Sequence, residues 1–192
     1  AAVAVGAILG VIVERTIFRP LQGDVVSGFI ATMGLMFVFE VLVGEIWGWG
    51  LSRPIPSPYM GAVRFLGAAV SFQRVLLMPF ALVSISGLLL FMKHFRLGRA
   101  LRAVALDPEA ASLQGININR MTALALGISG AYAGLAGGLM SPIYAVTPSL
   151  GGHLILPALI VVVVGGMGSI GGATLAAVIF GFIMTFVTTL VD

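Results

Sequence analysis

The sequence predicts an all-α integral membrane protein, a polytopic helical bundle with a broken or re-entrant glycine-rich segment. Hydrophobic residues make up 59% of its 192 residues and charged residues only 9%, whereas roughly 25% of the residues in a soluble domain are charged. The mean hydropathy is +1.14. Long apolar runs alternate with short segments that carry most of the charged residues. This pattern is typical of a chain that crosses a lipid bilayer several times.

Residues 1–13 form the first apolar run. The run is shorter than the roughly 20 residues that a membrane-spanning helix needs. It also lacks the basic region that begins a signal peptide. We therefore expect the chain to begin within a span and to be a fragment of a longer membrane protein.

Residues 25–49, 75–92 and 121–140 form apolar runs of membrane-spanning length. The last run, residues 154–191, is too long for a single crossing of a hydrocarbon core about 30 Å thick. Glycine is a poor helix former and permits left-handed backbone, so the glycine cluster at 165–172 is the expected break. The run is then either two spans or a re-entrant segment followed by a span.

Basic residues predict the orientation of the spans. Segments 14–24 and 93–120 contain seven of the ten Lys and Arg residues, and cytoplasmic loops are enriched in these residues. Both segments are therefore predicted to be cytoplasmic. Segment 50–73 is then external, with extended backbone at Pro54, Pro56 and Pro58. It is either an interfacial loop or a docking surface for an external partner.

The cytoplasmic segment 93–120 begins with a basic helical face. Four basic residues recur there at every third position, namely Lys93, Arg96, Arg99 and Arg102. We interpret this face as a contact with anionic lipid headgroups, which attract basic residues near the membrane surface.

The same segment contains a predicted helix of about two turns, residues 108–114. Its ends carry an N-cap, a proline at the first helical position, an acidic residue in the first turn and a glycine stop: Asp107, Pro108, Glu109 and Gly115. A helix this short is unstable alone in water. It is held either by the membrane surface and neighbouring loops or by the groove of a cytoplasmic partner, which would contact Ala110, Ala111 and Leu113.

Three further groups of residues are candidates for function or packing. Glu40 lies inside an apolar run, where a carboxylate is costly; it is predicted to line a translocation path or gate, or to form a structural hydrogen bond. The same path or gate is expected at the glycine-rich break, which contains Gly165, Gly166, Gly168, Ser169, Gly171 and Gly172. Small residues at four-residue spacing predict close helix packing, within the bundle or between two permease subunits, at Gly130, Gly134 and Gly138.

Several kinds of chemistry find no support in the sequence. It contains no cysteine, so thiolate metal sites, disulfides and cysteine nucleophiles are excluded. His94 and His153 lack metal-ligand spacing, and there is neither a Walker-type phosphate loop nor a catalytic triad pattern. We expect no metal, no catalytic residue and no nucleic-acid partner. The energy source must be another chain or a gradient.

Glu109-Ala110-Ala111 followed by Gly115 resembles the E-A-A-x-x-x-G element of ABC importer permeases, a cytoplasmic loop whose short coupling helix docks into the ATPase subunit. The runs at 98–105 and 115–117 resemble the branched-chain amino acid permease family in particular. The run at 31–35 with Glu40, and the run at 165–170, are also similar to that family. The resemblance therefore covers nearly the whole chain.

This resemblance implies a multi-pass subunit of the bacterial inner membrane that is not itself an enzyme and binds no cofactor. ATP and Mg would be bound by cytoplasmic ABC ATPase subunits. The other implied partners are a second homologous permease subunit and a periplasmic or lipid-anchored solute-binding protein. The expected solutes are branched-chain amino acids, with urea, short amides or other small polar solutes as the alternative. A gradient-driven secondary transporter or channel is the competing class, because it also uses broken helices.

Overall fold

The computed structural model describes residues 1–20, 25–48, 62–65, 68–141, 147–166 and 168–191. Within these ranges the chain forms eight α-helices, a π-helical turn and one antiparallel ribbon. The helices are α1 (Ala2–Val13), α2 (Val25–Trp47), α3 (Phe72–His94), α4 (Arg96–Leu106), α5 (Pro108–Leu113), α6 (Ile118–Met140), α7 (Leu150–Gly165) and α8 (Ile170–Val191). The π-helical turn, Glu14–Phe18, continues α1, and the ribbon pairs β1 (Ala62–Phe65) with β2 (Ala68–Ser71).

Among the described residues, α2, α3, α6 and α8 are long and apolar enough to cross a membrane. Many of their large apolar side chains are exposed on the chain surface, as expected of helices that face lipid or other membrane helices. The prediction of an all-α polytopic membrane protein is therefore confirmed. The small ribbon lies in the predicted external segment, whose Pro54, Pro56 and Pro58 fall outside the described residues, as does residue 49 of the second predicted span.

Two helices extend beyond the apolar runs that predicted them. The helix α6 begins at Ile118, three residues before its apolar run, because the side chain of Asn117 accepts a hydrogen bond from the N–H of Arg120 at 3.1 Å. The helix α3 likewise extends from Phe72 to His94. Apolar runs thus locate the part of a helix that suits the membrane rather than the whole helix.

Helices α1 and α6 pack backbone to backbone and run antiparallel. A Cβ atom at Gly6 would overlap the carbonyl oxygen of Gly130, and one at Gly134 would overlap that of Ala2. Gly10 lies in the same way against the carbonyl oxygen of Leu126. Small residues let two backbones approach this closely in a membrane. The glycine stripe on α6 is therefore used within this chain, against α1.

The long apolar tract near the C-terminus is divided into α7 and α8, which pack against each other. Among the described residues of the connection, Gly166 and Gly168 have φ of +89° and +91°, values that favour glycine. The break is shorter than the predicted 165–172, because Gly165 is still helical and the side-chain oxygen of Ser169 caps α8 by accepting from the N–H of Gly172 at 3.1 Å.

The length of α7 bears on how it lies in the membrane. Its 16 residues span about 24 Å at 1.5 Å per residue, less than a hydrocarbon core of about 30 Å. It is also shorter than the four membrane-length helices. By length, α7 fits a re-entrant segment better than a complete crossing.

Candidate functional site

The segment between α3 and α6 is built around α5, whose N-terminal cap follows the prediction from the sequence. The carboxylate oxygen Oδ1 of Asp107 accepts a hydrogen bond from the N–H of Ala110 at 3.0 Å, and Pro108 occupies the first turn. Asp107 is also the residue at which α4 ends. Since one residue ends α4 and caps α5, the two helices are joined without a loop.

The C-terminal end of α5 is a Schellman motif. The N–H of Ile116 donates to the carbonyl of Ala111 at 3.1 Å, and the N–H of Gly115 donates to that of Ser112 at 2.9 Å. Gly115 has a φ of +79°, which side chains with a Cβ rarely adopt. The helix ends at Leu113, one residue before the predicted end, because Gln114 already has non-helical backbone.

The structure divides the predicted partner contacts of α5 into an inner and an outer group. Ala111 is only 3% exposed, so within this chain it packs inward, and the docking of α5 into a partner stays a prediction. Leu113 is 89% exposed, and Leu106, at the end of α4, is 86% exposed. Leu106 was not among the residues predicted from the sequence. Leu106 precedes α5 and Leu113 is its last residue, so both project from a segment outside the membrane-length helices.

Glu40 lines a cavity of about 270 Å³ between α2 and the start of α7. Its neighbours on α2 are apolar, and the opposite wall consists of residues around the N-terminus of α7; the full lining is Met36, Phe39, Glu40, Val43, Pro148, Gly151 and Gly152. Glu40 itself is half-buried. The glycines of the predicted gate do not lie here, so the predicted path residues are not brought together in one place.

The glycine-rich break instead borders a second cavity, of about 440 Å³, on the side of α4. Gly168, Ser169 and Gly171 line it together with residues from the end of α3 and from α4: Leu89, Met92, Lys93 and Arg102, along with Ile170 of α8. Gly165 and Gly172 pack against each other, since a Cβ at Gly172 would overlap the carbonyl oxygen of Gly165.

Arg102 connects α4 to α3 beside this second cavity. Its Nη2 donates a hydrogen bond to the carbonyl oxygen of Met92 at 2.6 Å. Gly98 allows α4 to lie close to the end of α3, since a Cβ at this residue would lie 2.5 Å from the carbonyl oxygen of Phe91. The basic face predicted to contact lipid headgroups therefore includes one residue that binds within the chain.

Glu14 is an unexpected residue at the end of α1. It is 1% exposed, and its Oε1 has no hydrogen-bond partner in the structure of the described residues. It begins the π-helical turn, a feature often found at functional sites. The sequence contained a signal for it: Ala2, Gly6, Gly10 and Glu14 share four-residue spacing, so Glu14 continues the face that packs on α6.

Among the described residues, no group of three or more His, Asp or Glu side chains lies close enough to hold a metal ion. The ionisable residues of the two cavities lie apart, with Glu40 in the first and Lys93 and Arg102 in the second.

The comparisons with known proteins agree with this architecture. Residues 1–192 match the family described as branched-chain amino acid transport system / permease component. The chain is 30% identical over 192 residues to the high-affinity branched-chain amino acid transport system permease protein BraD of Pseudomonas aeruginosa, covering 97% of this chain and 62% of BraD.

Two further relatives show the range of solutes. The chain is 29% identical to the high-affinity branched-chain amino acid transport system permease protein LivH of Escherichia coli, over 94% of this chain and 60% of LivH. It is 30% identical to the guanosine ABC transporter permease protein NupQ of Bacillus subtilis, over 95% of this chain and 60% of NupQ. The chain thus spans about 60% of the length of these relatives. No solved structure matches it.

Proposed function

The chain belongs to the permease-component family of branched-chain amino acid transport systems, and from this premise we propose that it helps to import branched-chain amino acids using ATP hydrolysed by a partner subunit. It is a multi-pass protein of the inner membrane with a transport role. The proposed partners are cytoplasmic ABC ATPase subunits, which would bind ATP and Mg, a second homologous permease subunit and a solute-binding protein outside the membrane.

The observation that carries this proposal is the exposed apolar pair beside α5. Leu106 and Leu113 are 86% and 89% exposed on a segment that is predicted to be cytoplasmic from its basic residues. An apolar side chain on a short helix is a typical anchor for a groove in a partner. We assign that groove to the ATPase subunit.

The structure offers a route by which a movement of α5 would reach the membrane. The helix α5 is joined to α4 at Asp107, and α4 is held to α3 by the hydrogen bond from Arg102 to the carbonyl of Met92. Beyond that bond lies the cavity bordered by Gly168 and Ser169 of the glycine-rich break. A displacement of α5 by the ATPase would therefore act on the connection between α7 and α8.

The solute is the finer part of the proposal. Two of the relatives above are named as branched-chain amino acid permeases and a third as a guanosine permease. We favour branched-chain amino acids because BraD and LivH carry that name. Urea, short amides and other small polar solutes are the alternative within the same scaffold.

The test uses the full-length permease assembled with its ATPase and solute-binding protein in liposomes. Leu113→Glu places a charge on the exposed anchor and is expected to lower ATP-driven leucine uptake at least tenfold and to release the ATPase from the purified complex. Gln114→Glu, with the same charge one residue away, serves as the matched control. Unchanged uptake by Leu113→Glu, or gradient-driven uptake without the ATPase, would overturn the proposal.

A further inference from the structure

Glu40 is a carboxylate placed within the membrane rather than at its surface. It lies seven residues before Trp47, the last residue of α2, and so about 10 Å inside the end of the helix at 1.5 Å per residue. Under the predicted orientation that end is the external one. Ionisable residues at such depth face a wet cavity or a partner of opposite charge, because exposure to lipid is costly.

Among the described residues, the cavity beside Glu40 supplies no such partner. The described part of its lining contains no Lys, Arg or His, and Glu40 is its one ionisable side chain. The remaining lining is apolar side chains of α2, Met36, Phe39 and Val43, and the backbone-rich wall of Pro148, Gly151 and Gly152. In the described lining, the carboxyl group of Glu40 therefore lies among apolar side chains and backbone.

The shape of the site restricts what it could hold. Gly152 closes one side of the cavity, since a Cβ there would lie 3.4 Å from Cε of Met36. The cavity volume of about 270 Å³ is near the lower limit of small-molecule pockets, which begin at about 300 Å³. A sugar or nucleoside needs several hydrogen-bonding groups around it, and this lining offers one acidic side chain. A small molecule with an ammonium group and an apolar body matches both walls.

We propose that Glu40 forms a transient subsite for the ammonium group of the transported solute, with the apolar part of the solute against Met36, Phe39 and Val43. The inference rests on the proposed function insofar as the chain is a permease. It adds that the membrane path itself, and not only the solute-binding protein, prefers amines to neutral solutes. The ammonium neutralises a carboxylate that would otherwise be unpaired at this depth, and charged hydrogen bonds of this kind are stronger than neutral ones.

The test compares 3-methylbutylamine, an ammonium ion at neutral pH, with 3-methylbutanol, its uncharged analogue of the same shape, for binding to the reconstituted permease–ATPase complex without the solute-binding protein. Neither probe has a carboxylate, so repulsion between a solute carboxylate and Glu40 does not enter the comparison. Saturation-transfer NMR at millimolar solute measures both affinities. We expect the wild-type complex to prefer the amine at least tenfold, Glu40→Gln to reduce that preference to less than twofold, and Glu40→Asp to keep most of it.

Glu45→Gln is the matched control, because Glu45 lies on the same helix but does not line the cavity; it should keep the full preference. If Glu40 had only a structural role, Glu40→Gln would weaken the binding of both solutes equally and leave the ratio of their affinities unchanged. Equal binding of the two solutes by the wild-type complex, or a preference that survives in Glu40→Gln, would overturn the subsite.

Uptake by the complete transporter separates this inference from the proposed function. If the transporter imports a different amine, the assignment to branched-chain amino acids fails and the subsite stands. If it imports only solutes without an ammonium group, the subsite fails although the chain is still a permease. If leucine uptake is normal and Glu40→Gln keeps the binding preference, the subsite alone fails.

Discussion

Gly6 of α1 and Gly130 of α6 lie so close together that a Cβ atom on either residue would overlap the carbonyl oxygen of the other. This pair is the centre of a contact that continues to Gly134 in one direction and to Gly10 in the other. Small residues that let two helix backbones come this close form a contact that larger side chains would disrupt.

Replacing Gly130 with Val tests this contact. The added side chain would force α1 and α6 apart, and overpacking of a close contact costs about 1–3 kcal/mol. We expect a lower midpoint of thermal unfolding for the full-length protein in detergent. Gly137→Val, on the same helix where an added Cβ would meet no atom within 4 Å, should leave the midpoint nearly unchanged. Equal midpoints for the two variants would mean that α1 and α6 are not in contact.

A second prediction concerns Gly115 and separates backbone strain from lost contacts. Nothing lies within 4 Å of a Cβ added at this residue, yet its φ is +79°. Gly115→Ala should therefore destabilise the end of α5 by about 1–2 kcal/mol through left-handed backbone alone. The expected result is more ATP hydrolysed per solute imported, measured in liposomes with the full transporter.

Asparagine provides the control at the same residue, because it tolerates left-handed backbone better than alanine does. Gly115→Asn should couple ATP hydrolysis to uptake more tightly than Gly115→Ala, although its side chain is larger. If alanine were the better tolerated of the two, side-chain size and not backbone conformation would limit this residue.

The features that the sequence predicted well depend on neighbouring residues. Asp107, Pro108 and Gly115 act on backbone groups within a few residues of themselves, so the cap and the stop of α5 could be located to within one residue. The apolar runs identified the membrane-length helices for the same reason, since hydropathy is a property of each segment alone.

Contacts between distant segments were harder to predict. Nothing near Glu40 in the chain indicates that Gly151 and Gly152 form the opposite wall of its cavity, because that contact depends on how α2 and α7 pack. Burial of Ala111 was missed because a two-turn helix has no hydropathy pattern that distinguishes its inner face. The inward position of Glu14 could have been predicted from the sequence, since Glu14 continues the four-residue spacing of Gly6 and Gly10.

The third prediction concerns the link from α4 to α3. Arg102→Gln removes the hydrogen bond to the carbonyl of Met92, which we expect to be worth about 1 kcal/mol because Arg102 is exposed. ATP-driven uptake should fall about fivefold while the ATPase remains bound to the complex. Arg99→Gln makes the same chemical change on the same helix, away from this cavity, and should change uptake less than twofold. A similar loss in both variants would indicate a general effect of basic charge at the membrane surface.

Glu14 supports a prediction on stability that is unusual for a charged residue. Its Oε1 is buried without a hydrogen-bond partner in the structure of the described residues, and a buried polar atom left unsatisfied costs about 1–3 kcal/mol. Glu14→Met fills the same space without a polar atom and should raise the unfolding midpoint of the full-length protein. Glu14→Gln keeps the size and the buried polar atoms, so it should give no such increase. A lower midpoint for Glu14→Met would show that the carboxylate has a stabilising partner in the complete protein.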